Sequence, residues 1–302
     1  GFQSRPLSYI NDFGSHVAKT LWAYLKFYKD KAVPENKGYF LGQIYARATA
    51  EMEKDSLAKD MVGFLMKKIE SRNGEEYKLW QTTREWSIAG FARIYDELGI
   101  KFDRIFYESE VVDRGKDLVA KMYKDHRLAK SEGAIIADLQ PYGLNVLVIM
   151  RADGTKLYPV ADLALADAKA KKYKPDISIY VVDIRQGLYF KQLFKLLELS
   201  GYRNKLVHLG YEFVKLPGGM MSSRLGNVIP YDDLRSQILE KAGAETKKRH
   251  TGWPAEKIDG VANILTNGAL KFEMIKVSSN QIITFDSDQA LRFEGYTAGY
   301  LQ

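Results

Sequence analysis

The 302-residue sequence contains no cysteine, which excludes disulfides, thiolate zinc sites and a cysteine nucleophile and says nothing of the redox compartment. Histidine is scarce, and His16, His126, His208 and His250 stand apart without the spacing of a metal-ligand set. No apolar run reaches the ~20 residues a membrane helix needs and no signal-peptide pattern opens the chain, so a cytoplasmic protein without membrane contact is expected. Internal repeats and low-complexity tracts are also missing, and Lys and Arg are scattered rather than gathered into blocks. What is present is ample core material, 46% hydrophobic residues, in a length that suits one large α/β unit carrying an insertion, or two domains. The formal net charge of +7 and pI near 9.1 suit a polyanionic partner, although a merely soluble basic protein has the same numbers.

Hydrophobic periodicity predicts the elements. Arg5 to Ile10 reads as the end of a strand, followed by turn chemistry at Asn11-Asp12-Phe13-Gly14. Val17, Leu21, Leu25 and Tyr28 recur at helical spacing from Ser15 to a stop before Pro34; Asn11 and Asp12 either cap this helix or face a substrate. Ala46 to Arg72 predicts further helix with Leu57, Met61, Leu65 and Ile69 on one face. Thr82 and Glu85 fit a capping box for a helix closed by Gly99, Ile105 to Val112 reads as strand, and Lys116 to Leu128 as helix. Strands at Leu144 to Met150, Ile177 to Val182 and Lys205 to Val214 alternate with helices at Asp162 to Lys172 and Gly187 to Leu199, after a tight turn at Asp153-Gly154. That alternation predicts a doubly wound parallel sheet, with ligands beyond the carboxyl ends of its strands, where Asp162, Gln186 and the loop from Gly218 emerge. Tyr231 to Ala242 is helical, Glu245 to His250 is a basic run, and Ala255 to Val277 is helical with a break near Gly268.

The stretch Gly218-Gly-Met-Met-Ser-Ser-Arg-Leu-Gly-Asn227 follows the apolar run to Leu216-Pro217. Its glycines, the hydroxyls of Ser222 and Ser223 and the guanidinium of Arg224 make a loop able to face a polyphosphate; a Gly-Gly hairpin turn with two buried methionines is the bland alternative. Around it stand Tyr9-Ile-Asn-Asp-Phe-Gly14, Tyr158-Pro-Val-Ala-Asp162-Leu-Ala, Val181-Val-Asp-Ile-Arg-Gln186-Gly-Leu-Tyr-Phe-Lys-Gln192, Gly268-Ala-Leu-Lys-Phe272 and Phe293-Glu-Gly-Tyr-Thr-Ala-Gly-Tyr-Leu-Gln302. This series, in this order and over nearly the whole chain, resembles the catalytic core of arginyl-tRNA synthetase, a class I aminoacyl-tRNA synthetase.

The resemblance implies an α/β, Rossmann-like catalytic core with a mainly helical insertion and a helical C-terminal segment. Residues 1–14 would be a remnant of the first half of the nucleotide fold, 15–132 the insertion, 133–230 the second half, and 231–302 a helical segment leading to an anticodon-binding domain. It implies arginine-tRNA ligase activity: arginine is activated with ATP and Mg2+ to arginyl-adenylate and pyrophosphate, then transferred to the terminal ribose of tRNA. A carboxylate that accepts two parallel hydrogen bonds suits the guanidinium, which makes Asp162 the candidate, joined by Tyr158 and Gln186 at matching positions. A first-turn carboxylate facing the helix dipole is the structural alternative for Asp162. Gly219, Met220, Met221 and Ser222 would meet ATP, with Ser222, Ser223 and Arg224 in the catalytic loop. His208, before the loop, is a candidate adenosine contact or a core histidine, and Gln192 and Tyr189 are either pocket residues or exposed helix positions.

Two departures accompany the match. Met220 stands where the family's KMSKS loop begins with lysine, leaving Arg224 and Lys215 as replacement cations, and the chain contains no HIGH tetrapeptide. A fragment is therefore expected, and a monomer; the alternative function is a non-catalytic arginine- or tRNA-binding piece. A cysteinyl or glutamyl synthetase is disfavoured, the first by the lack of zinc ligands and the second because Asp162 would repel a carboxylate substrate.

Overall fold

The computed structural model describes every residue except positions 56, 155, 217–218, 221–228 and 291–302, with backbone alone at 216, 219, 220 and 287. The protein is α/β, mostly helical, with small sheets, some of them parallel. A short strand, β1 (Leu7–Ile10), is followed by four helices, α1 (Ser15–Phe27), α2 (Lys37–Met52), α3 (Ala58–Glu70) and α4 (Glu75–Glu97). β2 (Arg104–Tyr107) and α5 (Glu108–Lys124) precede a three-stranded meander of β3 (Ala129–Ser131), β4 (Ala134–Ala137) and β5 (Leu147–Met150). Then come α6 (Tyr158–Tyr173), β6 (Ile177–Asp183), a 3-10 turn at Ile184–Gln186, α7 (Gly187–Leu199) and β7 (Lys205–Tyr211). β8 (Val214–Leu216) and β9 (Gly219–Met220) lead to α8 (Tyr231–Arg249), α9 (Ala255–Ile275) and β10 (Ile283–Thr284). The chain forms two compact units, residues 1–12 with 102–212 and residues 13–101 with 213–302. Residues 102–132, grouped by sequence with the helical insertion, thus share a unit with 133–212.

In the first unit β1 pairs in parallel with β2, Leu7 opposite Arg104, and β6 pairs in parallel with β7 from Ile177↔Lys205 to Asp183↔Tyr211. The Leu144 to Met150 run, expected in the parallel sheet, instead gives β5 antiparallel to β4. The connection explains it: residues 138–146 between β4 and β5 hold only the short 3-10 turn Gln140–Tyr142, not the crossover helix that parallel neighbours need, and β3 is itself turned back onto β4 by Glu132 and Gly133, both at positive φ (47° and 83°). α6 supports both parallel pairs. Leu163, Val160 and Ala166 join the core of Ile149, Tyr180, Phe190 and Leu193, while Ala161, Ala164 and Leu165 pack with Phe106 and Val111. Its alanines let α5 approach so closely that a Cβ on Gly115 would sit 2.2 Å from the Val160 carbonyl oxygen, so α5 needs glycine there.

Among the described residues the second unit is helical apart from β10-β8-β9. The continuous helix expected over Ala46 to Arg72 is two helices, separated where Asp55 Oδ1 accepts the Leu57 amide at 2.9 Å. An Asp side chain that satisfies the backbone two residues on competes with helix. The buried face of α3 is consequently Ala58, Val62, Leu65 and Ile69, and Leu57 and Met61 are 66% and 46% exposed. Thr82 is no cap: it lies inside α4, donating to the Lys78 carbonyl, and α4 starts after Gly74 (φ 89°). Ile105 to Val112 is strand only to Tyr107, because Glu108 opens α5, and α9 runs through Gly268 without a break. α8 extends through the basic run, placing Lys247, Lys248 and Arg249 in its last turn where they oppose the helix dipole. Glu97 joins α4 to α8, pairing with Arg93 at 2.7 Å and accepting from Tyr231 Oη at 3.0 Å, and this with burial pushes the Tyr231 hydroxyl up to about 12.

Candidate functional site

Tyr158 opens α6 with Pro159 behind it, a residue whose fixed φ suits the first helical turn. From Pro159 to Asp167 every side chain is buried except Asp162, which is partly exposed. The Tyr189 hydroxyl, on α7, donates to Asp162 Oδ2. Burial pushes the Asp162 carboxyl above the usual carboxylate range, while the Tyr189 hydrogen bond and the Lys169 charge pull it back. Lys169 lies two turns along the same helix, so helical geometry puts it on the same face as Asp162. Its ammonium stands 3.6 Å above the Tyr180 ring, and burial lowers it to about 8 against the opposing pull of Asp162. Tyr9 of β1 and Tyr180 of β6 both have buried hydroxyls without a hydrogen-bond partner, and burial, with Asp162 among the nearby charges, raises both. Asp162, Lys169 and the phenols of Tyr9, Tyr180 and Tyr189 therefore lie together, with Glu108 and Asp12 also close to Tyr9. Asp162 uses one of about four acceptor positions on Tyr189, leaving room for a planar cationic donor.

The sequence-predicted residues fall into separate groups around this cluster. Tyr158, one turn before Asp162, is 75% exposed, and Gln186, exposed, ends the 3-10 turn and precedes α7. That turn is fixed by Asp183, which accepts the Arg185 amide at 2.8 Å and pairs with its guanidinium; Arg185 holds the Asp183 carboxyl down at about 2. Gln192 is buried, its Nε2 donating to the Asn145 carbonyl at 2.8 Å, so it anchors the approach to β5. His208 has the contacts of a core histidine: its ring stacks on Phe190 and Nε2 lies 3.2 Å from the Val182 carbonyl oxygen. Asn11 and Asp12 do not cap α1, whose first turn follows Gly14 without a side-chain cap. Asn11 donates to Glu108, and Asp12, buried, accepts the Ser109 amide at 2.8 Å and the Ser109 hydroxyl at 2.6 Å, which ties β1 to the start of α5.

Lys215, on β8, is the register partner of Met220 on β9, and Gly219 pairs with Leu216. Gly218, Met221, Ser222, Ser223 and Arg224 lie outside the described residues. Lys169 and Tyr180 are absent from the sequence prediction; the signals that would have found them are the seven-residue spacing from Asp162 and the one aromatic ring, polar-tipped, in the largely apolar strand β6. Among the described residues no group of three His, Asp or Glu is arranged around a metal position, and no helix is long and apolar enough to cross a membrane.

Residues 1–286 match the family described as tRNA synthetases class I (R), catalytic domain. The sequence is 34% identical over 305 residues to an arginine–tRNA ligase of Bdellovibrio bacteriovorus, covering 98% of this chain and 52% of that protein. It is also 34% identical to an arginine–tRNA ligase of Clostridium botulinum, covering 100% of this chain and 54% of the other. The chain thus spans about half the length of the curated relatives it matches. Among solved structures, the arginyl-tRNA synthetase of Thermus thermophilus superposes with a TM-score of 0.78 at 23% identity, over 99% of this chain and 56% of that one. That of Plasmodium falciparum does so with a TM-score of 0.78 at 20% identity, over 99% and 50%.

Proposed function

Because the chain belongs to the class I (R) tRNA synthetase family through its catalytic domain, we propose that it binds arginine and ATP as the core of an arginine–tRNA ligase. The observation that carries the reading is Asp162, a partly buried carboxylate with one hydroxyl donor and spare acceptor positions. Arginine's guanidinium enters as a bidentate donor, and the ring of Tyr158, one turn earlier at the exposed start of α6, covers it. Gln186, beyond the carboxyl end of β6, adds an amide. The arginine carboxylate then attacks the α-phosphate of ATP, pyrophosphate leaves, and the arginyl group passes to the terminal ribose of tRNA. Such a displacement depends on positioning and charge neutralisation, with Mg2+ arriving on the ATP phosphates as part of the substrate.

In this reading Gly219, Met220, Met221, Ser222, Ser223 and Arg224 serve the nucleotide, while His208 keeps the core role that its contacts with Phe190 and the Val182 carbonyl give it. The register that sets Lys215 directly across from Met220 supports Lys215 as one cation replacing the missing loop lysine. We also read β1-β2 and β6-β7 as parts of a doubly wound, Rossmann-like sheet, with the insertion narrowed to 15–101 because β2 lies within 102–132, and with 231–302 as the segment beyond. The apolar outer face of Ile177, Ile179, Val181 and Leu209, 45–62% exposed, supports this, since helices cover both faces of sheets of that class.

The test is calorimetric binding of arginine against lysine, with arginine-dependent ATP–pyrophosphate exchange as the activity readout. Saturable binding of arginine alone, lost in Asp162→Ala, is the expected outcome. Equal arginine affinity in that variant overturns the pocket.

A further inference from the structure

The cluster around Asp162 contains a charge that arginine recognition leaves over. Lys169 carries a largely desolvated ammonium whose described partners are the Tyr180 ring, at 3.6 Å, and the field of Asp162, with no hydrogen bond or ion pair. A cation that keeps its charge against burial needs compensation, and Asp162 is the anion on its own helical face. We propose that Lys169 is the resident counter-cation of Asp162 and that it releases its proton to solvent when arginine enters the pocket, so that arginine affinity is set by a proton at Lys169 Nζ. The inference rests on arginine binding at Asp162.

The charge balance closes. Before binding, one carboxylate faces one ammonium; a guanidinium arriving at the carboxylate would leave two cations for one anion in a site shielded from water. Departure of one proton from Lys169 restores the original sum, and the lone pair left on Nζ costs little in an apolar setting.

The surroundings single out this group. From β6 the Tyr180 hydroxyl, from α7 that of Tyr189 and from β1 that of Tyr9 are all pushed up by burial and stay neutral across the physiological range. From α5, Arg114 is engaged with Asp167, which also pairs with Lys171 at 3.1 Å and accepts from Tyr202 Oη at 3.4 Å. β5, Leu147–Met150, brings no titratable side chain. Lys169, lowered to about 8, is therefore the group able to give up a proton near neutral pH. The sign follows: as pH rises toward that value the ammonium empties, the competing cation disappears, and arginine binds more tightly.

The experiment is calorimetry of arginine binding to this chain between pH 6.5 and 8.0, in phosphate and in Tris, whose different heats of ionisation count the protons released. The wild type is expected to release up to one proton and to gain affinity by up to about tenfold per pH unit, the slope of one linked proton. Lys169→Met is expected to release none, to lose that slope and to bind about tenfold tighter at pH 7. Lys169→Arg, which keeps a permanent cation and tests the idea even where the methionine variant folds poorly, is expected to bind weakly at every pH with no proton released. Arginine binding without proton release, or an unchanged slope in both variants, overturns this inference while leaving the pocket standing. Absence of saturable arginine binding overturns the pocket and this inference with it.

Discussion

Asp12 and Asp162 are two sheltered carboxylates in the same compact unit, and they are partnered in opposite ways. Asp12 is spent: both oxygens are taken by Ser109, one by its amide and one by its hydroxyl, and the product is a tie between β1 and α5. Asp162 has one hydroxyl donor, a raised affinity for protons caused by burial, and a lysine on its own helix face. The difference teaches that burial alone does not mark a site. A carboxylate whose acceptor positions are filled by backbone and neighbouring hydroxyl has a structural task, and one with fewer donors in the same shelter keeps acceptor capacity in hand.

Substitutions sharpen that contrast. The largest effect is expected in Asp162→Ala, where arginine affinity falls at least about 100-fold, since a cation then meets a sheltered site without its anion, while stability shifts by less than about 1 kcal/mol. Asp12→Ala should do the reverse, costing about 1 to 2 kcal/mol of stability through the unsatisfied Ser109 groups and leaving arginine affinity within about threefold; thermal melting and calorimetry on the same samples decide. If both variants lose stability and neither loses arginine, the contrast is false. The smallest effect is expected in Tyr189→Phe, about fivefold weaker arginine binding. The lost hydrogen bond had favoured the charged carboxylate, so its proton affinity rises further, and binding should fail at a higher pH on acidification than in the wild type.

Much of this was readable from single elements. α7 occupies Gly187–Leu199 as its spacing predicts, and Asp162 lies on α6, inside the first two turns. What the spacing hid lies between elements. Ser109 is 97 residues from Asp12, so nothing local to Asn11-Asp12 could tell that the carboxylate serves α5 rather than α1. The ring of Tyr180 under Lys169 joins a strand to a helix, a contact with no sequence period, and the Glu132-Gly133 hairpin turn lacks the Asn-Gly or Asp-Gly pair that usually announces it. Asp55 broke a continuous helical pattern through a side-chain hydrogen bond, a competition that hydrophobic periodicity does not register.

The parallel pairing of β1 with β2 also has a history in time. Leu7 meets Arg104 across the whole of α1 to α4, so β1 has no such partner until the chain has grown past Tyr107. At roughly 5 to 20 residues per second of synthesis that wait is on the order of 5 to 20 seconds, during which the helices between them can form locally while the strand stays open. Tyr9, whose hydroxyl feels the Asp162 charge, is therefore made long before the strand that holds it, and codon-level pauses within the intervening helices would set how long that edge is left exposed to other chains.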